Sequence, residues 1–369
     1  MELAGKHPIL DVRSPSEYLH AHMPGAQSLP LFTDDERKVV GTSYKQHSRE
    51  QAIKIGLDFF GPKMRFMVEK AESIIAQWHE GKTTGSKSPS KIILVYCWRG
   101  GMRSAAVSWL LDLYGFKVIT LIGGYKMFRT YVLDTFTLPF HFKVLGGYTG
   151  SGKTEMLSAL ERKGETVLDL EALAGHKGSA FGNIGLPPQP GQEMFENLLG
   201  LELRKKIDKK EKKITGAGIS HSPYDLLHNP IWLEDESQRI GLINLPNNLW
   251  FTMRKAKLFF LDIPFEERLQ HIYEEYGGLN RESMIEAIGR IREKLGGLHA
   301  KQAIEFLEEG NTLESFRILL QYYDKFYHKA LHNRQDIQSL LHSVHCDHVT
   351  TDNAQKIIEQ AQEVIHSNT

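Results

Sequence analysis

A glycine-rich loop between an apolar segment and an amphipathic one constrains the fold of this chain more than any other feature. Residues 140–145 are mostly apolar, and residues 147–154 fit the pattern Gly-x4-Gly-Lys-Thr. Between a strand and a helix, such a loop wraps backbone N–H groups around a diphosphate, the lysine adds positive charge, and the threonine can ligate Mg²⁺. The pattern predicts an α/β domain without specifying what the diphosphate is attached to. The predicted diphosphate-binding residues are Gly147, Gly150, Ser151, Gly152, Lys153 and Thr154.

A second loop of this kind follows the apolar segment 91–96 and contains a cysteine. Its sequence is Cys97-Trp98-Arg99-Gly100-Gly101-Met102-Arg103, and residues 104–111 after it are typical of a helix. Two glycines, two arginines and a helix N-terminus predict a concave anion cradle at the end of a strand. Such a positive field stabilises a thiolate, so Cys97 is the candidate nucleophile. The alternative is a small buried cysteine in an ordinary turn. The predicted anion-binding residues are Arg99, Gly100, Gly101 and Arg103.

Composition limits the class of protein and its partners. A chain of 369 residues with 41% hydrophobic content is long enough for two domains. Its formal net charge is zero, so any nucleic-acid contact must come from a local patch. Two cysteines are too few for a disulfide framework, and no apolar run approaches membrane-spanning length. We therefore expect a soluble, cytoplasmic protein with no membrane partner.

Two segments are predicted to bring carboxylates near the diphosphate loop. Residues 166–171 are predicted to form a strand that ends with Asp169 and Glu171, and residues 229–241 contain a strand that ends in three acidic residues, 234–236. Carboxylates in this position can hold the water shell of a metal ion. Asp169 and Glu171 could equally cap the helix that follows. The spacing does not decide which acid of the second group has the metal role.

Two polar clusters have a structural interpretation beside a functional one. Seven of the eleven residues from Leu203 to Lys213 are basic, which makes this segment the best local candidate for RNA contact, although a solvated helix face is the commoner reason for such a run. Beyond Gly278 the chain is predicted to be helical. His342, His345, Cys346 and His348 lack a separate second ligand pair, so we expect no metal site there.

The first third of the chain resembles the rhodanese (sulfurtransferase) domain over residues 5–136. The motifs in order are Asp11-Val12-Arg13-Ser14-Pro15 with Glu17 and Tyr18, His22-x-Pro24-Gly25-Ala26, the Cys97 loop, and Gly123-Gly124-Tyr125. The resemblance implies a doubly wound α/β domain whose cysteine carries a sulfur-family atom, as a persulfide or its selenium analogue. Common single-domain rhodaneses place an arginine five residues after the cysteine, whereas Arg103 is six after Cys97. The longer loop is closer to the Cys-x5-Arg of cysteine-dependent phosphatases and could admit a tetrahedral phosphorus centre.

Together with residues 168–171, 176–182 and 234–241, these motifs resemble the bacterial tRNA 2-selenouridine synthases nearly end to end. The predicted fold is a rhodanese-like domain over 1–136, a P-loop NTPase-like α/β domain over 137–300, and a helical C-terminal extension over 301–369. The resemblance implies conversion of wobble 2-thiouridine to 2-selenouridine in tRNAs for lysine, glutamate and glutamine. Geranyl diphosphate would first alkylate the sulfur, and selenophosphate would then supply selenium. tRNA and an enzyme that supplies selenophosphate are the implied partners.

Three rival functions remain open at this stage. The first is an ATP-dependent kinase or ligase with a sulfur-carrying domain, since the diphosphate loop has the lysine and threonine of ATP-binding loops. The second is a rhodanese-type phosphatase, which the longer Cys97 loop keeps in view. The third is an RNA-binding or regulatory module with a vestigial rhodanese, against which intact Cys97, Lys153 and Thr154 argue.

Overall fold

The computed structural model describes residues 5–80, 91–179, 181–215 and 230–366. For residues 208–215 and 365–366 it describes the backbone and not the side chains. It divides into two compact units, Met1–Asp134 with Glu196–Leu198, and Thr135–Phe195 with Leu199–Thr369. Each unit contains a four-stranded parallel sheet with helices, so the predicted α/β class is confirmed. Within the described residues, none of the helices combines the length and apolar character that crossing a membrane requires.

The first unit has a sheet in the order β2-β1-β3-β4, with all neighbours parallel. The strands are β1 (Ile9–Asp11), β2 (Ala26–Ser28), β3 (Ile92–Tyr96) and β4 (Lys117–Thr120). The helices are α1 (Pro15–His20), α2 (Asp34–Gln46), α3 (Arg49–Phe60), α4 (Met64–Glu80), α5 (Met102–Tyr114) and α6 (Gly124–Thr135), with a 3-10 turn at Gly61–Lys63. Because β3 is central, its apolar run is largely buried, and it delivers Cys97 to the carboxyl edge of the sheet.

A buried ion pair joins three parts of this unit. Asp11 and Arg13 are 0% and 1% exposed, and the Arg13 guanidinium donates to Asp11 Oδ2 at 2.6 Å and to the carbonyl oxygen of Ala21 at 2.7 Å. The Tyr96 hydroxyl donates to Asp11 Oδ2 at 2.7 Å, and the Arg13 guanidinium lies 3.9 Å from the ring centroid of Tyr125. The Asp-Val-Arg motif therefore has a structural role: it ties β1 to the end of β3, one residue before Cys97.

Asp11→Asn should destabilise the first unit strongly, because it leaves the Arg13 guanidinium buried without its counter-charge. Loss of one partner of a buried pair costs about 3–5 kcal/mol. The free energy of unfolding of the full chain, measured in denaturant, should fall by this amount. Asp112→Asn, an exposed carboxylate on α5, is the matched control, and an equal loss in both variants would contradict the assignment.

The second unit has a parallel sheet in the order β10-β9-β5-β6 and a small antiparallel pair, β7-β8. The strands are β5 (Phe142–Gly147), β6 (Ile231–Glu234), β7 (Arg239–Ile240), β8 (Ile243–Asn244), β9 (Lys257–Asp262) and β10 (Leu341–His345). The helices are α7 (Lys153–Arg162), α8 (Leu170–Ala174), α9 (Gln192–Thr215), α10 (Asn247–Arg254), α11 (Phe265–Tyr276), α12 (Arg281–Arg290), α13 (Arg292–Leu295), α14 (Gly297–Glu308), α15 (Thr312–His332), α16 (Ile337–Leu340) and α17 (Asn353–His366). The C-terminal region is mostly helical, as predicted.

Two local predictions in this unit are wrong. Residues 166–171 do not form a strand: Val167 makes one isolated bridge to Trp232, and α8 begins at Leu170 because Asp169 Oδ1 accepts the backbone N–H of Ala172 at 2.7 Å. The chain beyond Gly278 is also not wholly helical, since β10 pairs with β9 at the edge of the sheet. β10 contains only two apolar residues in five, so its pattern gives little sign of a strand.

The basic segment lies at the carboxyl half of α9. Lys205 Nζ lies 2.5 Å from Glu202 Oε1, and Lys206 Nζ lies 3.7 Å from Glu161 Oε1. The side chains of the remaining lysines, from residue 209 onward, lie outside the described residues. RNA contact by this segment stays a prediction.

Candidate active sites

Hydrogen-bond donors surround the sulfur of Cys97. The residue follows β3 directly, is 3% exposed, and its Sγ lies 3.2 Å from Ser104 Oγ. Backbone N–H groups of Arg99, Gly101 and Ser104 also lower the pKa of its thiol. Ser104 Oγ lies 3.0 Å from the carbonyl oxygen of Gly101 as well. Because a hydroxyl has one proton, a Cys97 thiolate would draw that proton to its sulfur.

These donors settle the direction in which the pKa of Cys97 moves. Burial raises the pKa of the thiol, but the hydrogen bonds from the Ser104 hydroxyl and from the three backbone N–H groups outweigh it, and the pKa lies below its ordinary value. Cys346, the other cysteine, lies in an apolar core cluster, and burial raises the pKa of its thiol. The predicted preference for a thiolate therefore applies to Cys97, and hydrogen bonds produce it.

The start of α6 closes the Cys97 loop from one side. The backbone N–H of Tyr125 donates to the carbonyl oxygen of Cys97 at 2.8 Å, and that of Lys126 donates to the carbonyl oxygen of Trp98 at 2.9 Å. Gly124 has φ +58°, and a Cβ there would lie 2.3 Å from the Cys97 oxygen and 2.6 Å from the nitrogen of Gly100. A side chain at Gly124 is therefore excluded by both conformation and space.

Arg103 is held by Glu17 of α1. Its guanidinium donates to Glu17 Oε2 at 2.6 Å and to Oε1 at 3.3 Å, while Arg37 lies 3.2 Å from the same carboxylate. Burial raises the pKa of Glu17, but Arg103, the backbone N–H of Ser14 and Arg37 bring it down to about 2. Arg99 is exposed. The predicted role of both arginines in anion binding stays a prediction.

Ser104→Ala should raise the pKa of Cys97, because it removes the hydroxyl that donates to the sulfur. Thiolate formation, followed by ultraviolet absorbance against pH, should shift to higher pH in this variant. Cys97→Ser supplies the blank that isolates the Cys97 signal from that of Cys346. An unchanged titration would mean that the backbone N–H groups alone set the pKa.

The diphosphate loop of the second unit joins β5 to α7. Gly147, Gly150 and Gly152 all have positive φ, and Lys153 Nζ donates to the carbonyl oxygen of Gly147 at 3.0 Å. Ser151 Oγ is buried with no hydrogen-bond partner among the described residues, which leaves a hydroxyl available to a ligand. The predicted residues of this loop are thus brought together in the expected strand–loop–helix arrangement.

Two residues that sequence reasoning missed hold this loop in place. The buried Arg268 of α11 donates to the carbonyl oxygen of Thr149 at 3.0 Å and is itself fixed by Asp324, at 2.9 and 2.7 Å. The hydroxyl of Tyr327 accepts the backbone N–H of Gly147 at 3.3 Å and donates to Asp235 Oδ2 at 2.8 Å. Both partners are more than a hundred residues away in sequence, so no local pattern indicates them.

A cavity of about 630 Å³ opens at the diphosphate loop. Part of its lining is polar and includes Gly150 to Glu155, Glu171, Lys177 and Glu236. The other part, the apolar wall, comes from α11 and α15 and is mainly apolar. Its side chains are Ile272, Tyr276, Phe316, Leu319, Leu320, Tyr323, Phe326, Tyr327, Ala330 and Leu331. The cavity therefore combines the diphosphate loop with apolar side chains within one unit.

Carboxylates lie beside the diphosphate loop, as predicted, and the structure shows that each makes different contacts. Asp169 caps α8, whereas Glu171 faces the cavity, with its Oε2 3.4 Å from Thr154 Oγ1. Glu234 is buried; burial first, and then the nearby Asp169, raise its pKa to about 8. Burial and the neighbouring Glu171 and Glu234 also raise the pKa of Glu236, which Lys153 opposes. Asp235 accepts a hydrogen bond from the hydroxyl of Tyr327, which in turn holds the diphosphate loop at Gly147.

One group of side chains in the described residues could hold a metal ion by proximity. Ligand atoms of Glu155, His271 and Glu275, at the edge of the cavity, all lie within 4.8 Å of one another. The histidines near the C-terminus point to separate carboxylates: His345 Nδ1 lies 3.5 Å from Asp262, and His348 Nδ1 lies 2.9 Å from Glu267.

Comparison with known proteins decides the family. Residues 140–357 match the model of the tRNA 2-selenouridine synthase AAA domain, and residues 2–130 match the rhodanese-like domain. The chain belongs to the tRNA 2-selenouridine synthase family. It is 32% identical to the tRNA 2-selenouridine synthase of Hydrogenovibrio crunogenus, over 89% of this chain and 90% of the relative. The corresponding protein of Sulfurovum sp. is 33% identical, over 87% of each chain. That of Bdellovibrio bacteriovorus is 32% identical, over 89% of each chain.

The family resemblance and the fold class expected from the sequence are thus confirmed. The comparisons concern whole domains and leave the individual site residues, Cys97 and Lys153 among them, as predictions.

Proposed function

We propose that this chain converts wobble 2-thiouridine of tRNA to 2-selenouridine in two steps that use two sites. In the first, geranyl diphosphate bound at the diphosphate loop alkylates the sulfur. In the second, selenium from selenophosphate replaces the geranylthio group at the Cys97 site. Membership of the tRNA 2-selenouridine synthase family supports the overall reaction. The single observation that supports the first step is the cavity that combines the diphosphate loop with apolar side chains.

The order of the steps follows from leaving-group chemistry. The sulfur of 2-thiouridine leaves poorly as sulfide. When it attacks the first carbon of geranyl diphosphate, an S–C bond forms, pyrophosphate departs, and the ring loses its N3 proton. The product carries an alkylthio group, which can leave as a neutral thiol. Selenide then forms the C–Se bond and geranylthiol is released.

The first step needs stabilisation of the departing pyrophosphate. Lys153 supplies a fixed positive charge, and the backbone N–H groups of the loop supply oriented dipoles. The residues present also fit a divalent cation: Thr154, Glu171 and Glu236 would hold Mg²⁺, which would offset the charge of the diphosphate. An ATP-dependent reaction is the alternative that this loop keeps open, and phosphate release from ATP by the purified chain without RNA would favour it.

The two half-reactions should be separable by substitution. Lys153→Ala should block S-geranylation of 2-thiouridine tRNA, because loss of one preorganised charge or donor costs about 10²–10³ in rate. The same variant, given tRNA that is already geranylated, should still incorporate selenium. Cys97→Ser should show the reverse pattern. Nucleoside mass spectrometry reads both products, and equal loss of both steps in either variant would mean one shared active site.

The apolar wall predicts a second effect, on affinity. Phe326 lines the cavity and is 50% exposed, so Phe326→Ala should not threaten folding. Removing this contact with the prenyl chain should weaken binding of geranyl diphosphate about 10-fold or more, since burying a phenylalanine side chain contributes about 1.5–3 kcal/mol. Binding of inorganic pyrophosphate should not change. Phe251→Ala, an equally exposed residue outside the cavity lining, is the control in calorimetric titrations, and equal weakening of both ligands would argue against a prenyl chain on this wall.

A further inference from the structure

The Cys97 loop has the arrangement that attack on phosphorus requires. Five residues separate Arg103 from Cys97, as in the Cys-x5-Arg pattern. The next residue, Ser104, places its hydroxyl 3.2 Å from Sγ of Cys97. Backbone N–H groups of Arg99, Gly101 and Ser104, in the same loop, favour the thiolate of Cys97. An ion of tetrahedral oxygens seated over the sulfur would meet such N–H donors, as anions do at a helix N-terminus.

Arg103 can donate hydrogen bonds to this anion while it keeps its ion pair with Glu17. A guanidinium has five N–H donors in a planar fork, and the two hydrogen bonds to Glu17 use two of them. Glu17 is also hydrogen-bonded by Ser14, so the carboxylate is fixed at the start of α1. The ion pair therefore orients Arg103 for a second, bidentate contact with phosphoryl oxygens.

The oxidation states in selenophosphate also favour attack on phosphorus over attack on selenium. Its selenium is already at the selenide level and its phosphorus at the phosphate level. If Cys97 took the selenium to form a selanyl sulfide, the electron pair of the Se–P bond would stay on phosphorus, and phosphite would have to leave. If the thiolate attacks phosphorus instead, that electron pair leaves with selenium, and no atom changes its oxidation state.

We propose that the Cys97 thiolate attacks the phosphorus of selenophosphate, forms an S-phosphocysteine and releases hydrogen selenide as the nucleophile for the tRNA base. The S–P bond forms as the P–Se bond breaks. Water then cleaves the S–P bond to give phosphate and the free thiolate, which the Ser104 hydroxyl stabilises as it departs. The inference rests on the proposed function for the identity of the selenium donor, and it assigns Ser104 a part in the second half of the cycle.

The experiment uses the full chain with selenophosphate, with and without geranylated tRNA, quenched during the first turnover. Peptide mass spectrometry should find one PO3 group on Cys97, and phosphorus NMR should find phosphate as the only product. Ser104→Ala should accumulate the phosphorylated peptide, because loss of one donor to the departing sulfur slows hydrolysis about 10²–10³-fold. Ser108→Ala is the matched control, since this serine lies one turn further along α5.

The outcomes separate this inference from the proposed function. Selenium on Cys97 together with phosphite would overturn the inference and leave the selenation reaction standing. Selenouridine formation without any phosphorylated Cys97 in the wild-type chain or in Ser104→Ala would overturn it too. A phosphorylated Cys97 without selenouridine in tRNA would instead contradict the proposed function alone.

Discussion

The lowered pKa of the Cys97 thiol depends on hydrogen bonds to one buried sulfur atom. A cysteine that is 3% exposed would ordinarily be an inert thiol, because burial disfavours the charged form. Four donors from residues 99–104 reverse that preference, and three of them are backbone N–H groups whose direction the loop conformation sets. The loop can take this shape because α6 begins against it, with a glycine where a Cβ would strike the Cys97 carbonyl oxygen. The lowered pKa of Cys97 thus depends on the packing between the loop and α6.

In the second unit, too, contacts from other elements hold a glycine-rich loop in its conformation, but here the contacts come from side chains. Its diphosphate loop is held from outside by Arg268, which binds the Thr149 carbonyl oxygen, and by Tyr327, which binds the Gly147 N–H. Both side chains come from helices, α11 and α15, that also form the apolar wall of the cavity. The helices that fix the diphosphate loop therefore also supply the apolar side chains of the cavity. A ligand that joins a diphosphate to a hydrocarbon would find both kinds of contact within this unit.

Sequence reasoning succeeded where the local structure depends on neighbouring residues. The two glycine-rich loops and their flanking strands and helices are local patterns, and the structure has them. It failed where tertiary contacts decide. Asp169 ends an extended segment by capping α8, and β10 becomes a strand only because β9 is available beside it. The lowered pKa of Cys97 was expected from the glycine-rich loop, its arginines and the helix N-terminus together, and hydrogen bonds from residues of the loop are what lower it.

The carboxylates beside the diphosphate loop would repel one another if all were charged, and burial raises the pKa of two of them, Glu234 and Glu236. Glu171, Glu234 and Glu236 lie close together next to a site for an anion, and three negative charges there would repel it. The pKa of Glu234 is raised from 4.5 to about 8, so the folded chain binds a proton there that the unfolded chain has lost at neutral pH. A raised carboxyl pKa means that this part of the stability is complete below pH 4.5 and is lost as pH rises towards 8. The second unit is thus less stable near neutral pH than in acid by this contribution, and Glu234 can be neutral in the folded chain. A bound diphosphate, by adding negative charge, would hold that proton more firmly, and a bound Mg²⁺ would favour its release.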